Sequence, residues 1–188
     1  MESLAGRVRK LIAEPESIRG NLPGIICAAS LAHHKLLGSV ERIYLWNVDL
    51  TSVLDEHLAA LVSCAVDDVF IKFIRIGVCG MVTILDSVRS EWLRIYLHNR
   101  RNQSLGCEET RALVRAMESG VEEVALDLLE GHTLDIKELI EYNGLGKCRR
   151  IQIRCEHSAY SEPMRTWATS TNWAVAVGRR GSVDAWRN

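Results

Sequence analysis

The sequence lacks an excess of either charge. Over 188 residues, 23 lysines and arginines stand against 24 aspartates and glutamates, for a formal net charge of −1. A dedicated nucleic-acid-binding protein normally carries a basic excess, so this balance argues against that class. Hydrophobic residues make up 47% of the chain. That share excludes the composition of a disordered tail and is enough to fill the core of one domain.

Long apolar runs are missing as well. Those present are shorter than the roughly 20 residues that a membrane span needs. The start, Met1-Glu2-Ser3-Leu4, has no basic segment followed by an apolar stretch, as a signal peptide would. We therefore expect a cytoplasmic protein that makes no contact with a membrane.

Short cysteine pairs are absent. The two nearest cysteines are seven positions apart, whereas structural zinc sites usually combine closely spaced pairs. A chain of this size with a good core does not need disulfides for stability. We predict reduced, mostly buried thiols and no cofactor. The cysteines are Cys27, Cys64, Cys79, Cys107, Cys148 and Cys155.

Catalytic motifs are not found either: the sequence holds no GxSxG, GxxxxGK[ST] or HExxH. His33 and His34 are adjacent, which directs them to different faces of a helix and disfavours a shared metal ion. We expect each histidine to be a surface or capping residue, and we predict no catalytic residue, no metal site and no enzyme. The other histidines are His57, His98, His132 and His157.

What the sequence does have is a repeat. Five short β-like runs share the frame apolar-x-x-apolar-x-apolar, and their central residues are separated by 26, 26, 29 and 27 positions. The frames are Val40/Ile43/Leu45, Val66/Val69/Ile71, Trp92/Ile95/Leu97, Val121/Val124/Leu126 and Cys148/Ile151/Ile153. With a shorter sixth run they predict strands near 40–46, 66–72, 92–98, 121–127, 148–154 and 173–177.

The segments between these runs read as helices. Apolar residues fall four and eight positions before the first four frames, which places each pair on one helix face directed at one core. These pairs are Ala32/Leu36, Leu58/Val62, Ile84/Val88 and Leu113/Met117. A helix over roughly 24–37 precedes the first strand, and the last helix directs Met164, Trp167 and Ala168 inward.

A β-α unit of this period falls in the leucine-rich-repeat range. Such units bury their apolar faces only by stacking, so we predict an α/β solenoid with an inner parallel sheet and outer helices. A doubly wound sheet would also alternate strands and helices, but it would not keep a constant period. We expect an N-terminal capping helix and linker over 1–23, five to six repeats over 24–177 and a polar tail over 178–188.

The frame resembles the ribonuclease-inhibitor-like subtype of leucine-rich repeats, which occurs in the sensor regions of NOD-like intracellular immune receptors. The stretches Val82–Val88, Glu108-Glu109-Thr110 and Gly120–Val124 are similar to repeats in the receptor sets of early chordates. The resemblance implies a ligand-sensing or autoinhibitory region that binds a protein or microbial ligand. A fragment of a larger receptor is compatible with the sequence, which holds no NTP-binding or signalling segment.

One position departs from that family. The ninth residue of each repeat is usually Asn or Cys, whose side chain hydrogen-bonds the turning backbone. Here the position holds Val48, Ile74, Arg100, Leu129 and Glu156. The loops after the strands must therefore satisfy their backbone groups in another way.

The candidate binding surface is the face of the strands opposite the helices, because side chains alternate along a strand. Aligned by the frame, its middle column reads Tyr44, Phe70, Tyr96, Ala125 and Gln152. We predict an aromatic patch rimmed by charge, a composition typical of protein-recognition sites. Its anchors are Tyr44, Trp46, Phe70 and Tyr96, and its orienting charges are Arg42, Lys72, Arg94 and His98.

Other interpretations of this surface stay open. Aromatic residues favour strands in any case, and aromatic neighbours on adjacent strands stabilise a sheet by roughly 0.2–1 kcal/mol. The aromatic patch could also pack on a second copy of the chain, which would make the protein a self-associating structural module. A small enzyme with an unrecognised site is a third alternative.

Overall fold

The computed structural model describes residues 22–72, 74–96, 105–128, 136–141, 147–155, 161–171, 173–177 and 183–187. The predicted N-terminal capping segment lies almost entirely outside them. The helices are α1 (Leu22–His33), α2 (Asp55–Ser63), α3 (Val78–Ser87), α4 (Cys107–Ser119), α5 (Ile136–Glu141) and α6 (Ser161–Thr171). The strands are β1 (Val40–Trp46), β2 (Ala65–Lys72), β3 (Trp92–Tyr96), β4 (Glu123–Leu128), β5 (Arg150–Cys155), β6 (Trp173–Val177) and β7 (Val183–Arg187). None of these helices has the length and apolar character that crossing a membrane requires.

The strands form one mixed sheet in the order β1-β2-β3-β4-β5-β7-β6. Strands β1 to β5 are parallel and follow the order of the chain. Each helix contacts the next one along the chain, so the helices form a layer against one face of the sheet. The predicted α/β class is confirmed.

One continuous core fills the space between the sheet and the helices. The predicted inward residues of α2, α3 and α4 are fully buried, including Val88, which directly follows α3. They are Leu58, Val62, Ile84, Val88, Leu113 and Met117. On α6, Met164, Trp167 and Ala168 are also buried. These predictions are confirmed, because a spacing of four residues keeps side chains on one helix face.

The first helix ends earlier than the sequence predicts. It stops at His33, and Lys35 adopts a left-handed conformation with φ 57°. The Lys35 N–H donates to the Ala32 carbonyl at 2.9 Å and the Leu36 N–H donates to the Leu31 carbonyl at 2.8 Å, the two bonds of a Schellman motif. Leu36 is consequently 59% exposed, and the prediction that it faces the core is wrong.

The third strand pairs two residues away from the predicted register. Val69 lies opposite Leu93, whereas the frame aligns Val69 with Ile95. In the observed register, the first position of the frame is Ser90 instead of Trp92. Ser90 is fully buried and donates its hydroxyl to the Trp92 carbonyl at 2.8 Å. An apolar pattern cannot find this position because a polar residue fills it. Leu97, the predicted third position, lies outside the described residues.

The second strand begins with an irregularity. Val40 pairs with Ala65 but Arg42 pairs with Asp68, so β2 holds one extra residue at this point. Ala65 is buried and Val66 is 48% exposed. The assignment of Val66 to the core is therefore wrong.

The segment predicted as a polar tail contains a strand. Strand β7 is antiparallel to β5 on one side and to β6 on the other, so β6 does not lie beside β5. Val183 and Ala185 of this strand are buried. Their spacing of two residues is the alternation of a half-buried strand. The prediction of a polar tail is therefore wrong for Val183–Arg187.

The loops after β1 and β2 satisfy their backbone groups by pairing with each other. The Arg75 N–H donates to the Val48 carbonyl at 2.9 Å, and the Leu50 N–H donates to the Arg75 carbonyl at 2.8 Å. At the two ninth positions concerned, Val48 and Ile74 are buried apolar residues. The predicted replacement of side-chain hydrogen bonds is confirmed in these two loops; the other three ninth positions lie outside the described residues.

Candidate functional site

The open face of the sheet consists of the side chains of β1 to β5 that point away from the core. Strand pairing arranges them in three rows, with neighbours about 4.8 Å apart. The first row is Arg42, Asp68, Trp92, Glu123 and Arg150. The middle row is Tyr44, Phe70, Arg94, Ala125 and Gln152. The third row is Trp46, Lys72, Tyr96, Asp127 and Arg154.

Three of the predicted aromatic anchors contact each other in series. The ring centroids of Tyr44 and Phe70 are 5.1 Å apart, and those of Phe70 and Tyr96 are also 5.1 Å apart. Tyr96 lies in the third row, however, and the predicted middle column is wrong at this strand. The two-residue shift of β3 puts Arg94 in the place assigned to Tyr96.

Lys72 lies between the remaining anchor and Tyr96 in the third row. Its Nζ is 5.3 Å from the centroid of the Trp46 ring and 5.6 Å from that of Tyr96. Both distances are within the range of cation–π attraction. The row therefore presents one ammonium group between two half-buried aromatic rings.

Arg94 is fixed from two sides. Its guanidinium carbon is 5.1 Å from the centroid of the Phe70 ring, and its Nε donates to Asp68 Oδ1 at 3.2 Å while Nη2 binds Oδ2. This bidentate pair is partly desolvated, since the Asp68 side chain is only 8% exposed. The hydrogen bond to Asp68 raises the pKa of Arg94, and a hydrogen bond with Tyr44 contributes.

Trp92 separates two hollows in the open face. The larger has a volume of about 430 Å³ and is lined by Arg42, Asp67, Asp68, Glu91, Trp92 and Arg94. The smaller, of about 200 Å³, lies on the other side of Trp92 and includes Glu123 and Arg150. Trp92 is 40% exposed. Sequence reasoning missed it because the frame placed it in the core; the alternation of Leu93 and Ile95 was the signal that could have found it.

The predicted charges do not all behave alike. Arg42 is exposed beside the larger hollow, whereas Lys72 and Arg94 are held against rings. Arg150, which is not one of the predicted charges, binds Asp184 of β7 at 2.8 Å, and this hydrogen bond raises the pKa of Arg150. His98 lies outside the described residues. The open face thus offers rings and paired charges, groups suited to recognition.

The cysteines are more exposed than predicted. Cys27 and Cys79 are exposed, Cys64 and Cys107 are half-buried and Cys148 is buried, and no disulfide joins any of these five cysteines. Burial raises the pKa of Cys148 to about 12 and also raises that of Cys64. A raised pKa lowers the thiolate fraction, which argues against a nucleophilic role for these two residues.

Comparisons with protein-family models, with curated proteins and with solved structures return no match to this chain. The function of the open face therefore has to follow from its own geometry and chemistry.

Proposed function

We propose that the protein is a non-catalytic interaction module in which the open face binds a protein or microbial ligand. The observation that carries the proposal is the continuous surface of rings and fixed cations over three neighbouring strands. Tyr44, Phe70 and Tyr96 contact in series, and Lys72 lies against two aromatic rings. Aromatic residues and arginine are the side chains most enriched in protein interfaces and their hot spots.

The architecture we propose is a short leucine-rich-repeat solenoid, and the role is the ligand-sensing or autoinhibitory region of an innate immune receptor. Five parallel strands in chain order, each followed by a helix in one layer, support the solenoid. In this arrangement an open face is built from several repeats at once, and it can grip an extended surface of a partner.

The packing of the open face favours binding energetically. Ordering a long side chain at an interface costs about 0.5–1.5 kcal/mol. Lys72 and Arg94 are already held by rings and, for Arg94, by Asp68, so less of this cost remains to be met on binding. Trp92, exposed between two hollows, is a further anchor of the proposed binding surface.

Site-specific photo-crosslinking tests the proposal. A photoreactive phenylalanine analogue is placed at Tyr96, and as a matched control at the exposed Glu118 of α4, in cells that express the protein. We expect discrete crosslinked partners from position 96 and none from position 118. Truncating Trp92 to alanine should weaken binding of such a partner about 30-fold, equivalent to about 2 kcal/mol. Crosslinks from position 118 alone would contradict the proposal.

Sedimentation analysis separates partner binding from self-association. If the open face joins two copies of the chain, a tight dimer forms and disappears in the double variant Tyr44→Ala/Phe70→Ala. If the face binds another molecule, the wild type and the variant sediment alike. The crosslinked species supplies a second check, because a homodimer has twice the mass of the chain.

A further inference from the structure

Two histidines and a glutamate meet on the helix layer, away from the open face. His33 is the last residue of α1, while Glu56 and His57 belong to the first turn of α2. One potential ligand atom of each residue lies within 4.8 Å of the other two. The imidazole rings of His33 and His57 have centroids 4.6 Å apart at an interplanar angle of 56°.

The repeat explains how these residues come together. His33 and His57 are 24 positions apart, close to the spacing between successive strands, so they fall on neighbouring helices of the same layer. The adjacent pair His33 and His34 was expected to point to different helix faces, and the other histidines were expected at the surface or at helix caps, so no shared metal ion was predicted. The prediction of no metal site did not consider this pair.

Backbone hydrogen bonds define the helix ends that carry these residues. The Schellman bonds of Lys35 and Leu36 end α1 directly after His33. At the start of α2, the N–H groups of His57 and Leu58 both donate to the Leu54 carbonyl at 3.0 Å. Two helix ends that contact each other thus present the imidazole and carboxylate groups on defined turns.

We propose that His33, Glu56 and His57 bind one Zn²⁺ ion that links α1 to α2. Two imidazoles and one carboxylate form a ligand set known for zinc, with a remaining position for water. Zinc bonds to nitrogen and oxygen of about 2.0–2.2 Å place tetrahedral ligand atoms about 3.4 Å apart. The ligand atoms lie at most 4.8 Å apart, so side-chain rotation must bring them closer by no more than about 1.4 Å, which the exposed Glu56 side chain allows.

The ion would stabilise the contact between the first two helices. It binds the folded chain, in which the three ligands are close, better than the unfolded chain, in which they are not, and therefore stabilises the fold by mass action. The ion would link the first two helices on the layer away from the open face.

Calorimetric titration of the intact, metal-free protein with zinc chloride tests the proposal. We expect one ion per chain, with affinity lowered at least about tenfold in each of His33→Ala, Glu56→Gln and His57→Ala. The matched control is His34→Ala: this ring lies 5.2 Å from that of His33 but is not part of the ligand set. The His34→Ala variant should bind zinc with the affinity of the wild type. Zinc should raise the melting temperature of the wild type and of the control, but not of the three variants.

Cobalt spectroscopy excludes the cysteines as the source of binding. Co²⁺ at the proposed site should give d–d absorption without the charge-transfer band that thiolate ligands add. A strong thiolate band would overturn the proposal, and so would zinc affinity that is unchanged in all three variants. Circular dichroism of each variant without metal confirms that the chain is folded.

Discussion

Arg94 lies over the ring of Phe70, with its guanidinium carbon 5.1 Å from the ring centroid, while its nitrogen atoms bind the carboxylate of Asp68 on the same strand as Phe70. A partly desolvated charge pair therefore lies directly beside the aromatic surface. Changing one partner of the pair also changes the support of the ring next to it.

A double-mutant cycle on Asp68 and Arg94 should give a coupling energy of about 1–2 kcal/mol. The Asp68 side chain is only 8% exposed, so removing Arg94 leaves a largely desolvated carboxylate without its bidentate partner. Chemical denaturation of the wild type, Asp68→Asn, Arg94→Gln and the double variant measures the coupling.

The chain offers a matched control in the pair of Asp49 and Arg75. This pair also joins neighbouring repeats, but its side chains are 45% and 62% exposed. Water and salt screen such a pair, and its coupling should be below about 0.5 kcal/mol. Equal coupling in the two cycles would show that burial does not distinguish them.

The register of β3 makes a prediction about neighbouring residues. Leu93 is fully buried, and Leu93→Ala should lower the free energy of unfolding by about 2–5 kcal/mol through loss of contacts and cavity formation. Trp92 is 40% exposed, and Trp92→Ala should cost less although it removes a larger side chain. Thermal or urea unfolding compares the two. A larger loss of stability in Trp92→Ala than in Leu93→Ala would favour the register in which Trp92 belongs to the core.

Much of the fold could be predicted from the sequence because apolar periodicity survives in most repeats. The inward residues Leu58 and Val62 of α2, and Leu113 and Met117 of α4, follow from a spacing of four alone. The register of β3 could not, because the buried Ser90 breaks the apolar frame and an equally apolar alternative lies two residues away. Strand β7 was missed because its inward positions hold only Val183 and the small Ala185, which give a weak apolar alternation.

The end of α1 predicts a stabilising substitution. Lys35 has φ 57°, a conformation that costs a residue with a Cβ roughly 1 kcal/mol. Lys35→Gly removes this cost, partly offset by the greater freedom of glycine in the unfolded chain, and should stabilise the protein by up to about 1 kcal/mol. Urea unfolding measures the change. Asn47→Gly, at φ 52°, is the control and should gain less, because asparagine tolerates this conformation. A loss of stability in Lys35→Gly would argue against the motif.

Stability should fall at alkaline pH because of Cys148. Its pKa is raised from the ordinary value of 9.0 to about 12 by burial, so the folded state favours the protonated thiol. This contribution is fully present below pH 9 and is lost as the pH rises towards 12. Between pH 9 and 11, the wild type should lose on the order of 2 kcal/mol more than Cys148→Ala.

Denaturant unfolding at each pH gives the free energy of unfolding as a function of pH, and the slopes of the wild type and Cys148→Ala are compared. Cys79→Ala, which removes an exposed thiol, serves as the control and should follow the wild type. Parallel slopes for the wild type and Cys148→Ala would contradict the assignment of a buried, protonated thiol.

The candidate site was predictable in composition but not in arrangement. Phe70 contacts both Tyr44 and Tyr96, and strand alternation predicted that the three rings share one face but not that Tyr96 lies in the third row. The bidentate pair of Arg94 and Asp68 and the exposure of Trp92 depend on the register of β3, for which the apolar frame and the alternation of Leu93 and Ile95 give two different answers. The repeat spacing places His33 and His57 on neighbouring helices, but the contact between their side chains depends on how those helices pack.

The position of β7 has a consequence for synthesis. β5 gains its second neighbour only when Val183–Arg187 has left the ribosome, although β6 is made earlier. Synthesis proceeds at about 5–20 residues per second, so the outer backbone groups of β5 remain unpaired for some seconds. An unpaired strand edge is a template for pairing with another chain. Chains interrupted before Val183 should therefore be the form most prone to aggregate, whatever the stability of the finished protein.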